Sequence, residues 1–216
     1  MRFRSFQSLH PNCIPFGRAT SHIGKRCAKL PFILMEIVGK KMKKVISKIS
    51  YKLMSLVYKI RDKYLPHYKI LIEAGLKQGF NVIDYGCGPG GYITSASELV
   101  GEEGKVYAVD INPLAIQSVK NRIIENNLTN VETILIECKI KLPNNSIDMV
   151  YLFDFFHELK NHEPIIKEIY RVLKNDGIFS VYDPMMKKSE IISKVINKNL
   201  FRYNSMGTKT YNFMKI

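Results

Sequence analysis

From about residue 66 the chain alternates between two hydrophobic periods. The runs "FNVIDY" (80–85), "NVETILIE" (130–137), "SIDMVYLFD" (146–154) and "GIFSVYD" (177–183), with "GEEGKVYAVD" (101–110) as a turn plus strand, are short, apolar and bounded by Gly, Asn or Asp, which predicts strands. Helical spacing fills the gaps. It predicts helices at 67–79 ending at Gly79, at about 90–100, at 112–127, at 163–174 and at about 187–198. Asn112 stands as an N-cap before Pro113 at the first helical position. Asn175-Asp176-Gly177 reads as the turn into the fifth strand. The closing runs "NLFRYN" and "KTYNFMKI", joined by "SMGT", read as an antiparallel hairpin at the sheet edge. Strand–helix alternation of this kind predicts a doubly wound α/β sheet with helices on both faces. Residues 66–216 read as one domain.

Residues 42–63 carry a different pattern. Val45, Ile46, Ile49, Leu53, Leu56, Val57 and Ile60 recur at helical spacing, with Lys44, Lys48, Lys52 and Lys59 largely on the other side. This predicts a basic amphipathic helix over 42–65, either packed on the domain as a lid or laid on an anionic membrane surface. Residues 1–41 show no period. They read as a basic leader: a disordered tail, an upstream extension that is not native, or an Arg- and Ser-rich targeting segment. The run 30–38 is too short to span a bilayer.

Charge sharpens this division. The chain of 216 residues carries a net charge of +14. Residues 1–70 hold 16 Lys and Arg against Glu36 and Asp62, whereas residues 71–216 hold 17 basic and 17 acidic side chains. A neutral domain behind a basic leader is not the profile of a nucleic-acid-binding domain. The four cysteines (Cys13, Cys27, Cys87 and Cys138) form no C-x-x-C pair, so neither a zinc site nor a disulfide framework is expected and no metal is assigned. Such cysteine usage fits a reducing, cytoplasmic setting, with the 42–63 helix as the one feature for peripheral membrane association.

The candidate chemistry lies in "VIDYGCGPGGY" (82–92), an apolar strand ending in an acid and then Gly86, Gly88, Gly90 and Gly91. Glycines at the carboxyl end of a strand let a ligand approach the backbone. Asp110 ends the second strand, where an acid accepts hydrogen bonds from both hydroxyls of a ribose. The ligand is therefore a cofactor containing a ribose. A dinucleotide requires G-x-G-x-x-G. Here the third glycine comes one residue early, Pro89 removes an N–H, and Asp84 would repel a pyrophosphate while suiting an ammonium group.

On these residues the chain resembles the class I S-adenosylmethionine-dependent methyltransferases, whose first motif has the form [V/L]-[L/I]-D-x-G-C-G-x-G. The resemblance continues through "GKVYAVDINPLAI", "LPNNSIDMVYLFDFFHEL" and "EIYRVLKNDGIFSVYD", over roughly residues 66–216. It implies a Rossmann-like seven-stranded sheet, mostly parallel with an antiparallel C-terminal hairpin. It also implies transfer of a methyl group from S-adenosyl-L-methionine, leaving S-adenosyl-L-homocysteine. Asp84 and the backbone of Gly86, Cys87 and Gly88 would hold the methionine portion, Gly90 would belong to the same cofactor-binding loop, Asp110 would hold the ribose, and Ile111 would cover one face of the adenine. Glu137 and Cys138 would lie beside the adenine, although "ECKIKLP" is about one residue shorter than the family's usual stretch. Phe153 and Asp154 would line the transfer pocket.

Asp154 and His157 are candidate catalytic residues, His157 as a base with Asp154. Tyr92, Tyr182 and Asp183 fall near the pocket mouth. "LFDFFHEL" stands where the family's amino-group methylases carry Asn-Pro-Pro-Tyr, which points to a small-molecule or lipid-like acceptor of unspecified identity. Two alternatives stay open: a non-catalytic protein that binds the same cofactor, and an RNA methyltransferase that uses the basic segment. A nicotinamide-dependent oxidoreductase is disfavoured by the glycine spacing.

Overall fold

A computed structural model describes residues 67–136, 139–159 and 161–216. The expectations for the leader and for the helix at 42–65 lie outside the described residues.

The first described element is α1 (His67–Glu73), followed by β1 (Asn81–Tyr85), α2 (Ile93–Val100), β2 (Lys105–Asp110), α3 (Pro113–Glu125), β3 (Val131–Leu135) and β4 (Ile147–Phe153). A single 3-10 turn (Phe156–Glu158) leads to α4 (Glu163–Val172), β5 (Leu173–Tyr182), α5 (Lys188–Ile196), β6 (Phe201–Met206) and β7 (Tyr211–Lys215). The seven strands are ordered β3-β2-β1-β4-β5-β7-β6. The first five are parallel, and β7 runs antiparallel to both β5 and β6. The expected mixed sheet is therefore present, with β7 filling the slot between β5 and the edge strand β6.

The period-two alternation splits the core between the faces. Ile83, Val150, Leu152, Val181 and Phe179 pack with Ile166, Ile169 and Val195 on one side. Val82, Met149, Tyr151 and Phe153 pack with Ile93, Ala96 and Val119 on the other. Strands covered on both faces read as mainly apolar runs, which is why β1, β4 and the second half of β5 stood out in the sequence.

Two expected boundaries move. The first helix ends at Glu73, not at Gly79. Gly75 takes φ 94°, Gly75 N–H donates to Ile72 O at 2.9 Å and Leu76 N–H to Leu71 O at 3.1 Å. That pairing is a left-handed helix stop, so the nearer glycine ends the helix. The fourth helix ends at Val172, and β5 begins at Leu173 without a separate turn. Asn175-Asp176-Gly177 lies inside β5 as an irregularity, since Leu173 pairs with Ile147 and the next pair is Ile178 with Met149. Gly177 is needed there because a Cβ would stand 2.8 Å from Leu173 Cδ2 and 3.1 Å from Asp148 O.

Long-range polar clasps tie the layers. Glu73 Oε1 accepts from Lys209 N at 2.6 Å, Thr210 N at 2.8 Å and Thr210 Oγ1 at 3.0 Å, which binds α1 to the β6–β7 turn. Arg171 on α4 uses all its donors. Nε and Nη2 bond Glu168 at 2.9 and 2.7 Å, and Nη2 also reaches Ile140 O at 2.8 Å. Nη1 reaches Leu142 O at 2.8 Å and Asn144 Oδ1 at 2.7 Å. Glu168 in turn accepts from Ile140 N at 2.8 Å. The segment leading from β3 to β4 is thereby clamped onto α4.

Candidate active site

The strand order reverses between β1 and its neighbours β2 and β4, so the ends of these three strands border one crevice. Asp84 closes to 3% exposure there, and among the described residues its Oδ2 meets no donor in good hydrogen-bond geometry. Burial pushes its carboxyl up to about 8, the charges of Asp110 and Asp154 add to the rise, and the nearby Tyr151 hydroxyl offsets part of it. That hydroxyl is fully buried and is set against the Asp84 carboxyl. With the Tyr151 hydroxyl as its one neighbouring donor, the buried Asp84 carboxyl keeps acceptor capacity that a donor on a ligand can use.

The glycine loop shows which donor fits. Gly86 N–H and Cys87 N–H both donate to Val109 O, at 2.8 and 3.1 Å, and Gly88 N–H donates to Asp110 Oδ2 at 2.9 Å. These N–H groups are spent inside the protein, so they cannot hold a pyrophosphate. The crevice presents acceptors and suits a cation such as an amino acid's ammonium group. Gly86 is at φ 79°, and a Cβ there would come within 2.6 Å of the Phe155 ring. The loop thus needs glycine for packing as well as for conformation. Gly88 and Gly90 also take positive φ, 51° and 83°. The Cys87 thiol is buried and held protonated, by burial first and then by Asp84 and Asp110. It fills space and is no nucleophile.

Asp110 is oriented by Gly88 N–H and by Asn112 N–H, which donates to Oδ1 at 2.7 Å. Burial raises its carboxyl while those backbone donors pull it down. Each oxygen keeps a lone pair for a ribose hydroxyl. Ile111 next to it is 42% exposed, an aliphatic side chain left open where a flat ring can lie. Asn112 caps α3 as expected, accepting from Leu114 N at 3.0 Å, and so fixes the turn that follows Asp110. Glu137 and Cys138 lie outside the described residues. If Asp110 holds a ribose as the resemblance implies, Asp110→Ala would remove two charge-assisted bonds worth about 1.5–3 kcal/mol each, and cofactor affinity measured by calorimetry should fall at least about tenfold. An unchanged affinity would remove the ribose assignment.

Phe153 is buried at the end of β4 and packs edge-on to Tyr92 (5.3 Å) and Tyr182 (6.1 Å). Tyr92 donates to Asp154 Oδ2 at 3.0 Å. His157 does not pair with Asp154. Its Nδ1 lies 2.8 Å from Oδ2 of Asp183, the same oxygen that accepts His157 N–H at 2.8 Å, and Asp183 Oδ1 accepts from Met185 N at 3.0 Å. Asp183 has no exposed side-chain surface, whereas the His157 ring keeps 27%. A buried acid on Nδ1 favours a proton there, while Nε2 lies 4.0 Å from Glu158 Oε1. Sequence reading named both residues but not their bond, because 26 positions separate them. It missed Tyr151 entirely. The one signal for Tyr151 is a hydroxyl-bearing ring inside an otherwise apolar strand.

A family model described as a methyltransferase domain matches residues 76–214. A solved S-adenosylmethionine-dependent methyltransferase from Aquifex aeolicus is similar over 74% of this chain and 97% of its own, with a TM-score of 0.64 at 26% identity. The chain belongs to the S-adenosylmethionine-dependent methyltransferase family. Among curated relatives, a demethylmenaquinone methyltransferase from Listeria monocytogenes is 28% identical over 175 residues, 79% of this chain and 73% of that protein. A sterol 24-C-methyltransferase from Aspergillus fumigatus is 31% identical over 128 residues, 58% of this chain. The match spans 32% of that fungal protein. The chemistry of the crevice fits the methyltransferase cofactor: Asp84 is a buried acceptor of the kind an ammonium needs, and Asp110, held by Gly88 and Asn112 N–H, is one of the kind a ribose needs.

Proposed function

We propose that this methyltransferase acts on a small apolar acceptor that must give up a proton, with His157 as the base. The observation that carries the proposal is the His157–Asp183 pair at the carboxyl ends of β4 and β5, beside the crevice. Asp183 holds the ring by Nδ1 and holds Met185, 74% exposed, at the same corner. An exposed methionine next to an oriented imidazole offers apolar contact and a proton acceptor together. The menaquinone and sterol enzymes among its relatives are named for apolar acceptors, which supports the same class.

The cofactor supplies the methyl group as an activated sulfonium substituent. The protein's own work is placement. Asp84 takes the ammonium, Asp110 the ribose and Ile111 the open adenine face. Phe153, Tyr92 and Tyr182 form the wall that excludes water. His157 Nε2 accepts the acceptor's proton, and the buried Asp183 carboxylate stabilises the resulting imidazolium.

The test is transfer of labelled methyl from S-adenosylmethionine to demethylmenaquinol, a sterol, a catechol and a transfer RNA mixture. Label is expected in an organic-soluble product, and His157→Gln should slow its formation by about 10²-fold or more while leaving cofactor affinity unchanged. Label in the RNA alone would favour the RNA enzyme, and binding without label in any acceptor would favour a non-catalytic binder.

We also propose a cytoplasmic protein that meets its acceptor at an anionic membrane through residues 42–63, because an apolar acceptor partitions into bilayers. Among the described residues no helix is long and apolar enough to cross one. The full chain should sediment with anionic vesicles, weaken with salt and ignore neutral vesicles. Equal sedimentation with both vesicle types would end the idea.

A further inference from the structure

Asp154 has no part in the cofactor contacts described so far, yet the fold fixes its place. It is the first residue after β4, and β4 flanks β1 with Tyr151 in register with Asp84. Its φ is 58°, a left-handed conformation that aspartate adopts more readily than most residues and that here turns the chain out of β4. Asp154 N–H donates to Tyr182 O at 2.8 Å, and its Oδ2 accepts from Tyr92 at 3.0 Å. Tyr92 is itself held. Its ring is 8% exposed, stacks on His67 at 4.5 Å and meets Phe153 at 5.3 Å, while His67 Nδ1 lies 2.8 Å from Gly91 O. A carboxylate is thus set beside Tyr92, Phe153 and Tyr182, and its charge is felt at Asp84. Acid and aromatic faces together favour a cation of low hydration.

Asp84 and Asp110 account for the ammonium and the ribose. The remaining cationic centre of the methyl donor is its sulfonium, carried on the chain between those two groups. We infer that Asp154, positioned by Tyr92, faces that sulfonium and makes the site select the charged donor over its neutral, demethylated product. The inference rests on the cofactor reading of Asp84 and Asp110. When the acceptor bonds to the methyl carbon, the carbon–sulfur bond breaks and its electron pair stays on sulfur, so the positive charge vanishes. The attraction to Asp154 then disappears in the same step, which favours exit of the product.

Asp154→Asn isolates the charge. Asparagine tolerates the left-handed conformation, and its carbonyl still accepts from Tyr92. The full chain is titrated by calorimetry with S-adenosylmethionine, with sinefungin (an amine in place of the methylsulfonium) and with S-adenosylhomocysteine. The variant should bind the first two about tenfold more weakly or worse, while the third changes by less than about threefold, as expected for loss of one partly screened charge pair. Tyr92→Phe should narrow the same selectivity by releasing the carboxylate. Parallel weakening of all three ligands, or no weakening, overturns the inference. A wild-type chain that binds none of the three overturns the cofactor reading beneath it.

Discussion

Arg171→Ala is expected to lower stability by about 3 kcal/mol, the low end for breaking a buried pair, because Arg171 keeps 28% of its side-chain surface. The loss comes less from the missing attraction than from what remains. Glu168, with 9% side-chain exposure, would keep a charge facing Ile140 without its partner. The carbonyls of Ile140 and Leu142 would lose their donors. For a domain of this size the melting temperature should drop by about 6–12 °C. Urea unfolding of Arg171→Ala, of Glu168→Gln and of the double variant measures the coupling. If Arg171→Ala costs under about 1 kcal/mol, the clasp is a surface contact and not a structural joint. The clamped segment leads on from the stretch expected to border the adenine, so cofactor affinity should weaken in the same variant.

A second large effect is expected with pH. The Asp84 carboxyl stands at about 8 in the folded protein, against an ordinary value of 3.8. Between those limits the folded state holds a proton that the unfolded chain has released. Asp84 therefore stabilises the free protein fully below pH about 4, and this contribution drains away as pH rises to about 8, by up to about 1.4 kcal/mol per unit. Other carboxylates act in the opposite sense. Glu73 is somewhat desolvated, yet its bonds from Lys209 and Thr210 bring it below the usual value, so its contribution is lost on acidification. The comparison that isolates Asp84 is Asp84→Asn, in which the downward slope should flatten. Cofactor reverses the trend. On the proposed placement its ammonium needs the Asp84 carboxylate ionised, so binding should release a proton below pH 8 and tighten by up to about tenfold per unit as pH rises. Calorimetry in two buffers of different ionisation heat reads that proton directly. Binding that is indifferent to pH from 6 to 8 would place the ammonium elsewhere.

The sequence showed most of the sheet because β1, β4 and the second half of β5 are buried on both faces and so read as short, mainly apolar runs. It singled out Asp84, the glycines and Asp110 because their spacing is local to two adjacent strands, and the structure places Gly88 N–H on Asp110 Oδ2. It misplaced the end of α1, since two glycines four residues apart both offered a stop and only the hydrogen bonds of Leu76 and Gly75 choose between them. It misread Asn175-Asp176-Gly177 as a turn, because local turn chemistry does not report that β4 stays paired on either side. His157 with Asp183, Tyr92 with Asp154 and Glu73 with Thr210 were invisible for one reason. Each joins residues 26, 62 or 137 positions apart, and no periodic signal spans such gaps.

The placement of β7 has a consequence for how the chain is made. β6 is synthesised before β7 but hydrogen-bonds only to it, on the far side from β5. While a ribosome is still adding residues 211–215, β5 is an open parallel edge and β6 has no partner. Phe201 and Phe213, both buried against Phe179, have at that stage no joint core to enter. The edge of β5 is then exposed to chance pairing with another nascent chain. Closure waits for the last strand, and with it for the turn that presents Lys209 and Thr210 to Glu73. A molecule lacking residues 211–215 would lose β7 and leave β6 without a partner, so the turn that carries Lys209 and Thr210 would no longer be held against Glu73.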